Sequence, residues 1–122
     1  MKRLLVIFIC LIGFNCLAEK LDSKIVDNLA NAIYKLEGGS KTKYPYGIKS
    51  LPIKGSNKVN RESYARNICK NTITNNYDRW QKAGRPGKFL VFLGSKYCPP
   101  SADRKGHKNW INNITKISGH DF

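Results

Sequence analysis

Leu29-Ala30-Asn31-Ala32-Ile33-Tyr34-Lys35-Leu36-Glu37-Gly38-Gly39 is the stretch from which the fold of this chain is best read. Ile25, Leu29, Ala32, Ile33 and Leu36 recur at helical spacing and make one apolar face. The pattern predicts a helix over residues 21–37, with Ser23 placed to cap its start and Gly38-Gly39 ending it. Glu37 follows Ile33 by four residues and Leu29 by eight, so it continues the apolar face instead of the solvent face. It also falls at the helix C-terminus, where the macrodipole disfavours a carboxylate. Desolvation and the dipole both raise a carboxyl pKa. A carboxyl that keeps its proton near neutral pH is what a general acid requires.

Outward from this helix, residues 40–60 are rich in Gly, Pro, Lys and Tyr and read as a loop or short strand pair. Asn60 can cap a second helix whose stripe runs through Ala65, Ile68, Cys69, Thr72, Asn76 and Trp80. Gly84-Arg85-Pro86-Gly87 breaks it. Residues 88–97 fit a buried strand or a helix. Without a second strand-like run to pair with, the helix is preferred, with Pro86 suited to its start. Residues 101–106 read as a polar loop, and Trp110, Ile111, Ile114 and Ile117 mark a short last helix before a mobile tail ending at Phe122. The expected fold is mainly α: a small helical domain with a short β-hairpin between its first two helices.

Composition bounds the setting. Met1-Lys2-Arg3 precedes an almost uninterrupted apolar run from Leu4 to Phe14, and Cys16-Leu17-Ala18 offers a cleavage site, so residues 1–18 read as an export signal and residues 19–122 as the mature domain. The apolar run is too short for a membrane anchor, which needs roughly 20 residues. Without Lys2 and Arg3 the formal charge falls from +14 to +12, which favours an anionic partner. Cys10 and Cys16 leave with the signal. Cys69 and Cys98 remain, and in an exported protein they suggest a disulfide closing a loop of about 30 residues, worth roughly 3 kcal/mol.

Glu37-Gly38-Gly39 followed by Tyr44-Pro45-Tyr46-Gly47-Ile48 resembles the lysozyme-like superfamily, lytic transglycosylases and their phage relatives in particular. Phe89-Leu90-Val91-Phe92-Leu93, Lys96-Tyr97-Cys98-Pro99-Pro100 and Asn109-Trp110-Ile111-Asn112-Asn113-Ile114 are similar to the closing segments of phage-type and glucosaminidase-like members. The resemblance covers residues 25–117 and lies mostly in the order of short segments. The Glu-Ser pair and Gly-Leu-Met-Gln segment usual in transglycosylases are missing. The resemblance implies that Glu37 is the catalytic acid and base, and that the aromatic-Gly-aliphatic segment lines a glycan cleft.

The expected site is therefore Glu37 for catalysis, with Tyr44, Tyr46, Gly47 and Tyr97 along the sugar and Asn75 and Asn76 bonding N-acetyl groups. Trp80 and Trp110 are read as core aromatics. Cys69, Cys98, His107 and His120 lack the close paired spacing of a zinc site, and neither a metal nor a cofactor is expected. The expected partner is peptidoglycan or another anionic wall glycan, without specific nucleic acid or stable membrane insertion. The protein would be a monomer in the periplasm or secreted. Two rivals stand beside a glycan-cleaving enzyme: a non-catalytic cationic wall-polymer binder on the same scaffold, and a secreted antibacterial effector.

Overall fold

The computed structural model describes residues 19–49 and 58–122, so the expected export signal over residues 1–18 lies outside the described residues. Among the described residues four helices carry the fold: α1 (Ser23–Leu36), α2 (Lys58–Lys82), α3 (Phe89–Tyr97) and α4 (Arg104–Ser118). α1 packs against α2 and α4, and α3 packs between α2 and α4. None of the described helices is long and apolar enough to cross a membrane.

α1 starts one residue earlier in its capping than expected. Asp22, not Ser23, is the N-cap, and its side chain accepts from the Lys24 N–H at 2.8 Å. Val26, Leu29, Ala30, Ala32 and Ile33 are buried, so the apolar face read from sequence is the one that meets the core. Two alanines within it let the neighbouring helices approach closely. In α2 the inward stripe is Ala65, Cys69, Ile73, Asn76, Tyr77 and Trp80; Ile68 and Thr72 lie at its margin, half-buried.

Residues 89–97 are helical, as expected, but the helix begins at Phe89 behind an extended Lys88 and not at Pro86. Phe89 carries the far end of the core. Its ring meets Tyr77 edge-on at 5.1 Å, Trp80 at 5.6 Å and Phe122 at 5.5 Å. The C-terminal tail is docked, not mobile: the Leu90 N–H donates to the Phe122 carbonyl at 2.9 Å, and Lys88 Nζ pairs with Asp121 at 2.7 Å. α4 is longer than its apolar residues suggest. Asp103 caps it by accepting from the Gly106 N–H at 2.9 Å, which draws residues 104–106 out of the expected loop and into the helix.

No strand occurs among the described residues, so the expected hairpin between α1 and α2 is not found there. The connection instead makes two short 3₁₀ turns, Gly39–Lys41 and Pro45–Gly47. The cause is local. Pro45 has no N–H to give a ladder, and Tyr46 and Gly47 both take positive φ, at 59° and 71°, which breaks any extended run.

The expected disulfide is also absent: Cys69 and Cys98 are both free. Helical rotation explains it. Successive residues of a helix point about 100° apart, and at the end of α3 it is Tyr97, not Cys98, that turns toward α2. The Tyr97 hydroxyl lies 3.6 Å from Cys69 Sγ. Cys98 instead caps α3, and its carbonyl accepts from His107 Nδ1 at 2.8 Å. Burial pushes the Cys69 thiol up to about 11, so it is a poor nucleophile. Iodoacetamide applied to the native protein at pH 8 is therefore expected to alkylate Cys98 first and to reach Cys69 only on unfolding. A native protein with no alkylatable thiol, as the bridge would give, contradicts the structure.

Candidate active site

Glu37 is the C-cap of α1, with its N–H donating to the Ile33 carbonyl at 2.9 Å. Gly38 and Gly39 then adopt φ of 106° and 58° and reverse the chain, a path that a residue with a Cβ resists. At Gly38 an added Cβ would also sit 3.1 Å from Thr42 Cβ. The reversal returns the Pro45–Gly47 turn to the end of α1. Gly47 meets the Glu37 side chain so closely that an added Cβ would fall 3.0 Å from Cδ and 3.1 Å from Oε2. Gly47 is exposed, so the Glu37 carboxyl lies beside a stretch of bare, accessible backbone.

That turn is held from below. Tyr46 is 5% exposed despite its left-handed backbone, a conformation costing roughly 1–2 kcal/mol for a residue with a side chain. Two contacts fix it. Its ring packs on Tyr34 at 5.1 Å, and its hydroxyl accepts from Arg66 Nη1 at 3.2 Å. Arg66 is itself tied to Asn31 Oδ1 at 2.8 Å and to Asp27 at 3.4 Å, and Lys70 reaches Asp27 at 3.0 Å. This polar ladder joins α1 to α2 and anchors the turn between them.

From the other side, α3 and α4 bring aromatics to the same carboxyl. Tyr97 and Trp110 are stacked, 5.2 Å between centroids and 10° between planes. Glu37 is half-buried, and burial holds its carboxyl above the usual carboxylate range. The polar edge of Trp110 pulls the other way. The indole N–H acts on the carboxyl as a donor, yet it is buried without a partner in full hydrogen-bond geometry. Burial wins. Tyr97 and Cys69 both feel the Glu37 charge, and both are pushed up by burial, so the thiol and phenol beside the carboxyl stay neutral.

The expected site residues therefore divide. Glu37, Gly47 and Tyr97 come together, and Tyr44 is exposed at the rim of the turn with Lys43 Nζ 5.4 Å from its ring centroid. Tyr46 belongs to the floor, its ring covered and not offered to a ligand. Asn76 is buried and donates to its own helix, Nδ2 to the Thr72 carbonyl at 2.7 Å; Asn75 is exposed on α2. Trp110, read as a core aromatic, is both: 7% exposed, and at the carboxyl. Its stripe position gave no sign of this, because the meeting depends on how α4 crosses α1.

No protein-family model, curated protein or solved structure matches this chain.

The other described acids are engaged elsewhere or lie apart. Asp22 and Asp103 cap helices, Asp27 and Asp121 are ion-paired, Glu62 accepts from Tyr34 at 3.4 Å, and Glu19 and Asp78 are exposed. Among the described residues no group of three or more His, Cys, Asp or Glu is placed to hold a metal ion.

A pH-dependent stability follows. The carboxyl of Glu37 is raised in the folded state, so folding takes up a proton there as pH rises past the unfolded value. The folded state is then penalised progressively, and the penalty is complete above the folded pKa. Glu37→Gln removes it. The variant should match the wild type well below the unfolded pKa and gain on it as pH rises, reaching a plateau above the folded-state pKa, in denaturant titrations at a series of pH values. A difference independent of pH would show that the carboxyl is not held protonated by the fold.

Proposed function

We propose that this protein is an exported, glycan-cleaving enzyme of lysozyme-like fold that acts on peptidoglycan with Glu37 as its general acid and base. One observation carries the reading: a single half-buried carboxyl, biased toward its protonated form, lies against the exposed backbone of Gly47 with Tyr97 and Trp110 behind it. A protonated Glu37 gives its proton to the glycosidic oxygen as the bond from C1 breaks. The resulting carboxylate then takes a proton from the hydroxyl that attacks C1. Gly47 lets the carboxyl reach the exposed edge of the turn, and Tyr44 at the rim is available to stack on a sugar ring.

A lytic transglycosylase is favoured over a muramidase. Hydrolysis with two carboxylates would need a second acid flanking the bond. The two candidates in α2 do not supply one readily: Glu62 is bonded to Tyr34, and Asp78 is exposed. In the one-carboxyl route the sugar's own 6-hydroxyl attacks and closes an anhydro ring. A formal +12 on the expected mature chain suits an anionic wall polymer in the periplasm or outside the cell. Housekeeping remodelling and attack on a competitor share this chemistry.

Incubation of the protein with purified peptidoglycan, followed by mass analysis of soluble products, tests the reading. Anhydro-muramic ends are expected, and Glu37→Gln should lower their rate of formation by about 100-fold or more while the fold is kept. Reducing ends would assign a hydrolase, and the absence of products would assign a non-catalytic binder. Undiminished cleavage by Glu37→Gln would remove the mechanism.

A further inference from the structure

Once Glu37 has given up its proton, a half-buried carboxylate must be stabilised by some donor. The groups around it are nearly all committed. From α3, the Tyr97 hydroxyl is engaged with Cys69 Sγ on α2 at 3.6 Å. From the Pro45–Gly47 turn, the Gly47 N–H donates to the Tyr44 carbonyl at 2.9 Å and the Ile48 N–H to the Pro45 carbonyl at 3.2 Å. Arg66 on α2 is spent on Asn31, Tyr46 and Asp27. His107, one turn before Trp110 on α4, directs Nδ1 to the Cys98 carbonyl at 2.8 Å. The Trp110 indole N–H is different: its residue is 7% exposed, and the N–H is buried without a partner.

Such an orphaned donor is uncommon in a folded core and calls for a reason. Its placement is also built with care. Trp110 lies against α3 at Gly94, where an added Cβ would stand 3.2 Å from Trp110 Cε3, 3.1 Å from Ile111 Cγ1 and 3.4 Å from His107 Cε1. The stacked Tyr97 ring fixes the plane of the indole from the side. Gly94 and Tyr97 therefore restrict how the indole can turn, and it is the side-chain donor that acts on the Glu37 carboxyl.

We infer that Trp110 is a positioning residue for Glu37, its indole N–H closing onto the carboxylate oxygen when the proton leaves and opening to a near approach when the proton returns. The inference rests on Glu37 being the acid. It extends that reading by naming the group that sets how readily the proton is released and where the carboxylate is held for its second role as base. A hydrogen bond to the ionised form is the stronger one and favours that form. Trp110 thus tempers the effect of burial and keeps the acid from holding its proton too tightly.

The test needs no glycan. The chain has two tryptophans, so an ¹H–¹⁵N spectrum of the full protein carries two indole signals, and Trp110→Phe identifies one of them. The Trp110 indole proton is expected to move downfield through one transition as pH rises across the Glu37 titration, and to stay still in Glu37→Gln. An indole signal that does not move, or that titrates equally in Glu37→Gln, overturns the inference. In Trp110→Phe the Glu37 carboxyl, followed by ¹³C, should titrate higher than in the wild type. Gly94→Ala, which displaces the indole without removing it, should shift Glu37 in the same direction by less. Where Trp110→Phe does not fold, Trp80→Phe identifies the Trp110 signal as the one that remains, and the comparison of wild type with Glu37→Gln decides. With peptidoglycan as substrate, the high-pH limb of kcat/KM should move upward in Trp110→Phe, since activity is lost as the acid ionises. A titrating indole in a protein that releases no glycan product would sink the enzyme reading and leave the donor assignment standing.

Discussion

The carboxyl of Glu37 and the backbone of Gly47 occupy space that a single methyl group would fill, and much of the surrounding structure serves to keep them that close. Gly38 and Gly39 turn the chain back at positive φ. Tyr46 accepts a strained backbone so that the turn beside Glu37 is pinned from beneath. Arg66 reaches across from α2 to hold the Tyr46 hydroxyl, and Asp27 and Asn31 hold Arg66 from α1. These ion pairs are partly exposed, and individually such pairs contribute little. Their value is geometric: they join three segments whose relative placement sets the environment of one carboxyl.

The two halves of the site come from different elements packed on α1 and its end. The turn after α1 supplies bare backbone, whereas α3 and α4 supply the stacked pair Tyr97 and Trp110. The aromatic cluster around Phe89 and the docked Phe122 secure α3 at its far end, which fixes where Tyr97 and Gly94 lie at its other end. Burial that stabilises the fold therefore also desolvates Glu37, and the fold bears a charge penalty there at neutral pH. A residue that costs stability in its ionised form, placed beside exposed backbone, is what a site and not a core is expected to contain.

How much of this was legible in the sequence depended on distance along the chain. The apolar face of α1 and the position of Glu37 on it are repeats at three and four residues, and both are found in the fold. The third helix was also legible, because nothing in the chain offered a strand partner. Tyr46 was not. In a Tyr-Pro-Tyr-Gly loop a tyrosine reads as exposed, and it is Arg66, twenty residues on, that draws it inward. Asn76 sits on an apolar stripe and reads as a ligand group, yet it is satisfied by a carbonyl one turn back in its own helix. Cys98 missed Cys69 by one residue of helical rotation. Trp110 reached the carboxyl through the crossing of α4 over α1 and the missing Cβ at Gly94, neither of which is a local property.

Everything proposed for this protein turns on the proton affinity of one carboxyl. The direct measurement is the ¹³C chemical shift of Glu37 Cδ in selectively labelled protein, followed from pH 2 to 9. Its titration midpoint should lie clearly above the ordinary glutamate value of about 4.3. A midpoint at or below that value would mean that the carboxylate is stable in its site, and Glu37 would then be a structural residue and not a proton donor.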